Sequence, residues 1–414
     1  MITRNNLITS VDIGAATTTT VIAEADSHGY VELLGNGQSP TMGFIDDKVN
    51  DIRELGASIV ASVEAAEDMA DQRAGSLLIA IGGEHVRVMQ SRGGIPLHQA
   101  GRNSGRLINR QDIKRAIDNA GIVPMPGDLK VLHVLPVIYY VDGQRFSNPE
   151  GLSGTRLDVD VMIVAAMQPV LTSLTKAVEY GDYRVKNFYY RPLATGRSVL
   201  SNEEMDQGAC LIDVGGRHTD VAVFKEGKMI HSSTLALGGE DITLDTRSML
   251  GLSQAEAEKI KLRFGHCNST LLEDMEFQIT GGSDGELWRT VKKSDLGQDV
   301  IQPRAEEILE EALTSICGLT ENGQLPGGAV LTGGSSQLDG FGALASAIFP
   351  MPVIEGVNVG FENLDELSGR PDHSTALGMV LLDVEQRLSR RDDVMDNPLS
   401  RWCGRLVRKI HTVM

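Results

Sequence analysis

The sequence predicts an α/β protein built from two related halves, with a small α/β insert in the first half and an amphipathic helix at its C-terminal end. The duplication is predicted by two stretches, LITSVDIGAATTTTVIAEAD and ACLIDVGGRHTDVAVFKEGK. Each is an apolar, β-branched run, an Asp-x-Gly turn and a second apolar run, which is typical of a β-hairpin. The helix is predicted by the basic segment RWCGRLVRKI, which stands out in a chain of formal net charge −18.

The composition is typical of a soluble globular protein with more than one core. The 414 residues are 41% hydrophobic and 23% charged, and a chain of this length normally divides into several domains. The acidic net charge and the aromatic share of 4% disfavour nucleic acid as a partner. Neither a signal-peptide pattern nor an apolar run of about 18 residues is visible, so we expect no membrane-spanning segment.

The alternation of helical and strand patterns divides the chain into six units. The sequence pattern changes at Glu84. After it, EHVRVMQSRGGIPL and LKVLHVLPVIYYVDG are typical of strands, and NRQDIKRAIDNA is typical of a helix. We predict a first core subdomain at 1–83 and 162–192, an insert at 84–161, a second core subdomain at 193–228 and 321–385, an upper subdomain of the second half at 229–320, a polar linker at 386–396 and the amphipathic helix at 397–414.

The two Asp-x-Gly turns predict a phosphate-binding pair of loops, here called the first loop (residues 12–17) and the second loop (residues 213–218). A carboxylate at a strand end can reach a hydrated Mg²⁺, and glycines let backbone N–H groups approach phosphate oxygens. Either turn alone can be a plain β-turn, but corresponding turns in two halves can clamp a phosphate chain from both sides. The predicted residues are Asp12, Gly14, Ala15, Thr17, Asp213, Gly215, Gly216 and Arg217, with Asp12 and Asp213 holding Mg²⁺ through water.

Two further elements are candidates for contacts with a nucleoside. In VLTGGSSQLDGF, Gly333 and Gly334 follow a strand and open a helix, so a ligand ring can lie flat against the backbone. In AEKIK, Glu258 and Lys261 lie one helical turn apart and can meet a ribose or adenine edge. The alternatives are an ordinary strand-to-helix turn and an exposed ion pair between residues i and i+3.

In this order, the two hairpins, the AExxK helix and the TGG element resemble the actin/Hsp70/sugar-kinase ATPase fold. Within that fold the chain resembles the FtsA family of bacterial cell-division proteins over essentially its whole length. The resemblance implies an actin-like duplicated fold, an insert of the family's own type used for subunit contacts in a homopolymer, and ATP with Mg²⁺ as ligands. The matching segments are VLHVLPVIYYVDG, NPEGLSGTRL, AEAEKIKLRFG, VIQPRAEEILEE and VLTGGSSQLDGF.

The resemblance also implies partners and a location. The segment PRAEEILEE corresponds to the region that meets the C-terminal tail of the tubulin-like protein FtsZ, and Arg304 and Glu307 match its charged positions. An exposed ion pair on a helix is the alternative for these two residues. The implied location is the cytoplasmic face of the inner membrane at the division site, as a peripheral protein among other division proteins.

The second loop departs from the family pattern Asp-Ile-Gly-Gly-Gly-Thr, because Arg217 and His218 replace its third glycine and its threonine. The Arg217 side chain either blocks the approach of phosphate to the backbone or pairs with phosphate itself. The first loop has no lysine, and no group in the sequence is recognisable as the base that orients an attacking water. We therefore expect ATP binding with weak or no hydrolysis.

Placed on a helix at about 100° per residue, the C-terminal segment separates into an apolar and a basic side. Such a helix suits the boundary of an anionic bilayer, whereas the acidic body of the protein would be repelled from it. A terminal helix packed on the protein's own core is the alternative. The predicted membrane-binding residues are Leu399, Trp402, Leu406, Val407 and Ile410 on the apolar side and Arg401, Arg405, Arg408 and Lys409 on the basic side.

The leading hypothesis is an actin-like division protein that binds ATP, polymerises and tethers FtsZ to the inner membrane. A pilus-assembly adaptor of similar fold is one alternative, which the terminal helix and the PRAEE segment argue against. An ATP-dependent sugar kinase is another. It is disfavoured because no catalytic aspartate of a substrate domain is identifiable.

Overall fold

The first half of the chain opens with the predicted hairpin. The computed structural model describes residues 6–45, 47–97, 105–268, 275–281, 286–319, 324–364 and 367–395. Helix α1 begins where the Asp51 carboxylate accepts hydrogen bonds from the backbone N–H groups of Arg53 and Glu54. The elements before the insert are β1 (Leu7–Ile13), β2 (Thr17–Ala25), β3 (Val31–Pro40), β4 (Phe44–Ile45), β5 (Lys48–Val49), α1 (Ile52–Ala70) and β6 (Ser76–Ile81).

The insert is a four-stranded antiparallel sheet in the order β10-β9-β12-β7, with helix α2 packed on one face. A capping box formed by Asn109 and Asp112 starts α2. Strand β12 pairs with β9 as far as Met167, so this sheet extends six residues past the boundary expected at residue 161. The elements are β7 (Val86–Pro96), β8 (Arg106–Leu107), α2 (Arg110–Ala120), β9 (Leu129–Val141), β10 (Gln144–Phe146), β11 (Ser153–Gly154) and β12 (Arg156–Met167).

After the insert the chain returns to the first half and then builds the second. The return consists of α3 (Gln168–Tyr180), β13 (Arg184–Tyr190) and α4 (Arg191–Val199). The second half consists of α5 (Asn202–Gln207), β14 (Ala209–Val214), β15 (Thr219–Lys225), β16 (Lys228–Leu235), α6 (Gly239–Leu250), α7 (Gln254–Phe264), β17 (Glu276–Gly281), β18 (Glu286–Lys292), α8 (Lys293–Leu296), α9 (Gln302–Ile316), β19 (Ala329–Thr332), α10 (Phe341–Ile348), β20 (Val353–Glu355) and α11 (Ser374–Met395).

The sheets of the two halves have the same topology. The first sheet runs β3-β2-β1-β6-β13 and the second runs β16-β15-β14-β19-β20. In each, the leading strand pairs antiparallel with the second strand of its hairpin and parallel with a later strand. The predicted duplication is therefore confirmed. Since β16 belongs to this core sheet, the sheet continues past residue 228, where the upper subdomain was expected to begin.

Helix α11 packs against α4 and β1. A Cβ atom added to Gly378 would lie 1.7 Å from the Ala194 carbonyl oxygen, so the two helices touch at this point. The helix extends to Met395, so residues 386–395 are helical and do not form the irregular linker that their polar composition predicts. Within the described part of the chain, no helix is both long and apolar enough to cross a membrane.

Candidate functional site

The carboxyl ends of the leading strands of both sheets open into one cleft with a volume of about 980 Å³. Parallel strands end at the same sheet edge, so segments distant in sequence meet there. Every residue predicted to bind nucleotide lines this cleft. They are Asp12, Gly14, Ala15, Thr17, Asp213, Gly215, Gly216, Arg217, Glu258, Lys261, Gly333 and Gly334.

The first and second loops have the same turn geometry. The Gly14 N–H donates to the Thr17 carbonyl at 3.0 Å, and the Gly215 N–H donates to the His218 carbonyl at 2.9 Å. The loops also approach one another, because a Cβ atom added to Gly216 would lie 3.2 Å from the Ala15 Cβ atom. Two such loops facing each other leave room for a phosphate chain only where their residues are small.

Two carboxylates lie deep in the cleft. Asp213 accepts a hydrogen bond from Thr195 Oγ1 at 3.1 Å, and Asp220, which is 3% exposed, accepts one from Thr234 Oγ1 at 2.5 Å. Asp213 keeps some contact with solvent, but the surrounding protein desolvates its carboxylate, and this burial together with the charge of Asp220 raises its pKa to about 7. Burial also raises the pKa of Asp220. Both carboxyl groups therefore hold their protons to a higher pH than an exposed aspartate does.

Arg191 is a cleft residue that the sequence analysis missed. Its Nε atom lies 3.3 Å from Asp12 Oδ1, and its Nη2 donates to the Ile13 carbonyl at 3.1 Å. Burial alone would lower the pKa of Arg191, but the surrounding carboxylates, Asp12 first among them, raise it above its usual range. The sequence does contain a feature that could have indicated Arg191. This residue directly follows a strand parallel to β1 and precedes a proline at a helix start.

The carboxylates of the cleft are better suited to a Mg²⁺ ion that keeps its water ligands than to a metal ion held directly by several side chains. Among the described residues, no group of three or more His, Cys, Asp or Glu side chains can hold a metal ion. Asp12 shares its carboxylate with Arg191, while Asp213 has a raised pKa that a nearby cation would lower. Mg²⁺ typically keeps several waters and uses one or two carboxylates together with phosphate oxygens. Asp12 and Asp213 fit that description.

The third wall of the cleft comes from the turn after β19. Gly333 has a φ of +90°, and a Cβ atom there would lie 2.5 Å from Asp213 Oδ1 and from the Val214 carbonyl oxygen. Glycine is thus required by both conformation and space. At Gly334 an added Cβ would meet no atom of the described residues within 4 Å. Ser335 Oγ donates to the Gly215 carbonyl at 2.8 Å and joins this turn to the second loop.

Lys261 and Glu258 lie on α7 at the far side of the cleft. Lys261 is 5% exposed, and its Nζ atom donates to the Gly239 carbonyl and to Thr243 Oγ1, each at 2.9 Å. It also lies 2.8 Å from Glu258 Oε2. The alternative of a fully exposed ion pair therefore does not describe Lys261, which joins α7 to α6.

Arg217 and His218 each contact a carboxylate. Arg217 Nε lies 2.9 Å from Glu240 Oε2, at the start of α6, and Gln254 donates to the other oxygen of the same carboxylate at 2.7 Å. His218 Nδ1 lies 3.0 Å from Asp47 Oδ2, on the opposite half. The Arg217 guanidinium therefore lies at the cleft wall in an ion pair with Glu240. This position is compatible with both predicted roles, a steric block to phosphate and a direct contact with phosphate.

The remaining predicted residues lie elsewhere. Arg304 on α9 forms an ion pair with Asp245 on α6, at 2.7 Å from Nε to Oδ2, and a second pair with Glu307. The predicted membrane-binding residues lie outside the described residues. They are Leu399, Arg401, Trp402, Arg405, Leu406, Val407, Arg408, Lys409 and Ile410.

Comparison with known proteins decides the family. A family model described as "Cell division protein FtsA" matches residues 210–378, and one described as "SHS2 domain inserted in FTSA" matches residues 83–165. The cell division protein FtsA of Pseudomonas aeruginosa is 30% identical over 382 residues, which cover 92% of this chain and 90% of that protein. The chain belongs to the FtsA family. FtsA of Bacillus subtilis is 29% identical over 91% of this chain and 83% of that protein.

Solved structures agree with the actin-like fold of this FtsA-family chain. MreB5 of Spiroplasma citri bound to AMPPNP has a TM-score of 0.56 at 10% identity, covering 94% of this chain and 99% of that one. The PilM-PilN type IV pilus biogenesis complex has a TM-score of 0.63 at 17% identity, covering 91% and 98%. At these identities the likeness shows the fold alone, and the fold predicted from the sequence is confirmed.

Proposed function

We propose that this member of the FtsA family binds ATP in the cleft between its two halves. The observation that carries the proposal is the pair of matched loops facing each other across the cleft, with Gly333 closing it on a third side. An actin-like neighbour, MreB5, is bound to the ATP analogue AMPPNP. The lack of side chains at Gly14, Gly215 and Gly216 would let the phosphates approach the backbone of both loops.

Hydrated Mg²⁺, held through water by Asp12 and Asp213, would neutralise phosphate charge when bound. The chain itself offers little for hydrolysis. Asp12 is paired with Arg191, and Asp220 accepts from Thr234, so neither carboxylate is poised to orient an attacking water. We expect ATP to act mainly as a bound ligand that joins the halves, with slow or no turnover.

The proposal extends to tethering FtsZ at the membrane. The surface around Arg304 and Glu307 on α9 would receive the acidic FtsZ tail, and the helix predicted at residues 397–414 would attach the protein to anionic lipids of the inner membrane. Subunits would assemble through the insert, and a polymer carries many weak anchors at once. Other division proteins would join at the cytoplasmic face of that membrane.

The nucleotide part of the proposal is tested by filling the cleft without disturbing the fold. Gly334→Leu places a side chain where an added Cβ meets nothing within 4 Å, so folding should be normal while ATP is excluded. Gly75→Leu is the matched control, because its Cβ also meets nothing within 4 Å and Gly75 does not line the cleft. Calorimetric titration of Mg-ATP should show binding to the wild type and the control and none to Gly334→Leu. Equal binding by all three proteins would place ATP elsewhere.

A further inference from the structure

A second cavity, of about 670 Å³, lies on the other side of His218 from the nucleotide cleft. Its lining comes chiefly from Lys48 of β5, from the turn that leads into the insert and from strand β16 of the second half. His218 lines both cavities. The proposed function does not use this space.

Two polar atoms of the lining have no hydrogen-bond partner among the residues that the structure describes. They are Nε2 of His85, a residue only 6% exposed, and Oγ of Ser233. Buried polar atoms are nearly always satisfied, so unpaired ones beside a cavity indicate a missing partner. An imidazole nitrogen and a hydroxyl can both donate to an anion.

The charges of the lining also favour an anion. Lys48 and Arg87 contribute two cations, and Glu84 is the one carboxylate among the described residues that line the cavity. Arg87 Nη1 donates to the Glu84 carbonyl at 2.8 Å, which holds the guanidinium at the cavity wall. Among the lining residues themselves the two cations outnumber the one carboxylate, and the neighbouring carboxylate of Asp47 is paired with His218.

We propose that this cavity is a second ligand site, which binds a small phosphate-bearing molecule. A guanidinium, an ammonium, an imidazole and a hydroxyl together match the oxygens of a phosphate group. The volume exceeds that of inorganic phosphate and falls in the range of small-molecule pockets, so a phosphate monoester with a short polar body fits it best. His218, which pairs with Asp47, belongs to the second loop of the nucleotide cleft and also lines this cavity.

The test is calorimetric titration of the nucleotide-free protein with inorganic phosphate and with glycerol phosphate, and with glycerol as the neutral comparator. Both phosphate probes should bind and glycerol should not. His85→Leu and Arg87→Gln should each weaken binding by about tenfold, because each removes a hydrogen-bond donor to a charged group. His231→Leu is the matched control, since His231 Nε2 also has no hydrogen-bond partner in the described part of the chain but His231 does not line the cavity.

Arg217→Gln distinguishes phosphate binding in one cavity from binding in the other, because Arg217 lines only the nucleotide cleft. Loss of phosphate binding in this variant, with His85→Leu unaffected, would place phosphate in the cleft and overturn the proposal. Dissociation constants above about 1 mM for both phosphate probes would also overturn it. Arg87 is exposed, so Arg87→Gln keeps the test decisive if His85→Leu fails to fold.

Discussion

The carboxyl group of Asp213 makes the stability of the folded protein depend on pH. A bound nucleotide with its cation would relieve the loss of stability at higher pH. The pKa of Asp213 is raised from 3.8 to about 7 by burial, so the folded protein holds this proton more tightly than the unfolded chain does. The stability from this group is therefore complete below about pH 3.8 and is lost as the pH rises through about 7. Asp213→Asn imitates the protonated form and should remove that loss.

The measurement is the thermal unfolding midpoint of the nucleotide-free protein between about pH 5 and about pH 8. The wild type should lose more stability over this range than Asp213→Asn. Asp118→Asn, at an exposed position on α2, is the control and should follow the wild type. Parallel curves for the wild type and Asp213→Asn would show that Asp213 ionises normally in the folded protein.

Arg217 decides between a phosphate contact and a steric block. We expect a contact, because the guanidinium at the cleft wall can share its donors between Glu240 and a phosphate oxygen. Arg217→Gly should then weaken Mg-ATP binding by about tenfold, and Glu240→Gln, which releases the guanidinium, should strengthen it. Calorimetric titration of Mg-ATP measures both effects. Tighter binding by Arg217→Gly would show that the side chain blocks the site.

Among individual residues, the sequence predicted those that belong to a local motif and missed those that do not. Asp12 and Asp213 each stand in a strand-turn pattern that is visible without a structure. Arg191 lies 179 residues from Asp12, and only the pairing of β13, β6 and β1 brings the two together. The contact of His218 with Asp47 likewise depends on the two halves facing each other.

At the scale of elements, helix α9 supplies the proposed FtsZ contact through an arginine that also joins it to α6. Arg304→Glu should weaken binding of the acidic FtsZ tail peptide, because it reverses the charge that attracts the peptide. Arg197→Glu is a matched control, since Arg197 also pairs with a carboxylate and is 27% exposed, against 26% for Arg304. Fluorescence titration with the peptide should show loss for Arg304→Glu alone. Equal affinities would remove Arg304 from the contact.

The crossing of α11 and α4 should tolerate no added volume. A Cβ atom on Gly378 would lie 1.7 Å from the Ala194 carbonyl oxygen, so Gly378→Ala must push the helices apart. We expect a loss of about 1–3 kcal/mol in the free energy of unfolding. Gly369→Ala is the control, because its added Cβ meets no described atom within 4 Å. Denaturant unfolding of both variants checks this, and an unchanged midpoint for Gly378→Ala would contradict the close crossing.

The sequence pattern predicted the hairpins, but it did not predict two boundaries between elements. The hairpins were predictable because each combines two β-branched runs with a glycine turn. The end of the insert was not, because β12 continues without a break through residue 161 and pairs with β9 from Leu157 to Met167. Residues 386–395 read as a linker because they are polar, yet α11 continues through them. A polar helix end and a polar linker have the same composition.

At the scale of the whole molecule, the repeated topology explains why a cleft exists. Two sheets of the same strand order turn the same edge toward a common space, so the Asp-x-Gly turn of each sheet lies opposite the other. The repeat itself was readable from two similar stretches of sequence. The second cavity was not, because its lining comes from six separate places along the chain that carry no shared motif.

In the proposed function, the acidic body of the protein reaches an anionic membrane only through its basic C-terminal helix and brings FtsZ with it. The most direct measurement is co-sedimentation of FtsZ with anionic vesicles, using the intact protein, a form lacking residues 397–414 and Trp402→Glu. We predict that the intact protein carries FtsZ into the vesicle pellet and that both altered forms leave FtsZ in the supernatant while unfolding at the same temperature as the intact protein. FtsZ in the pellet with the form lacking residues 397–414 would contradict attachment through this helix.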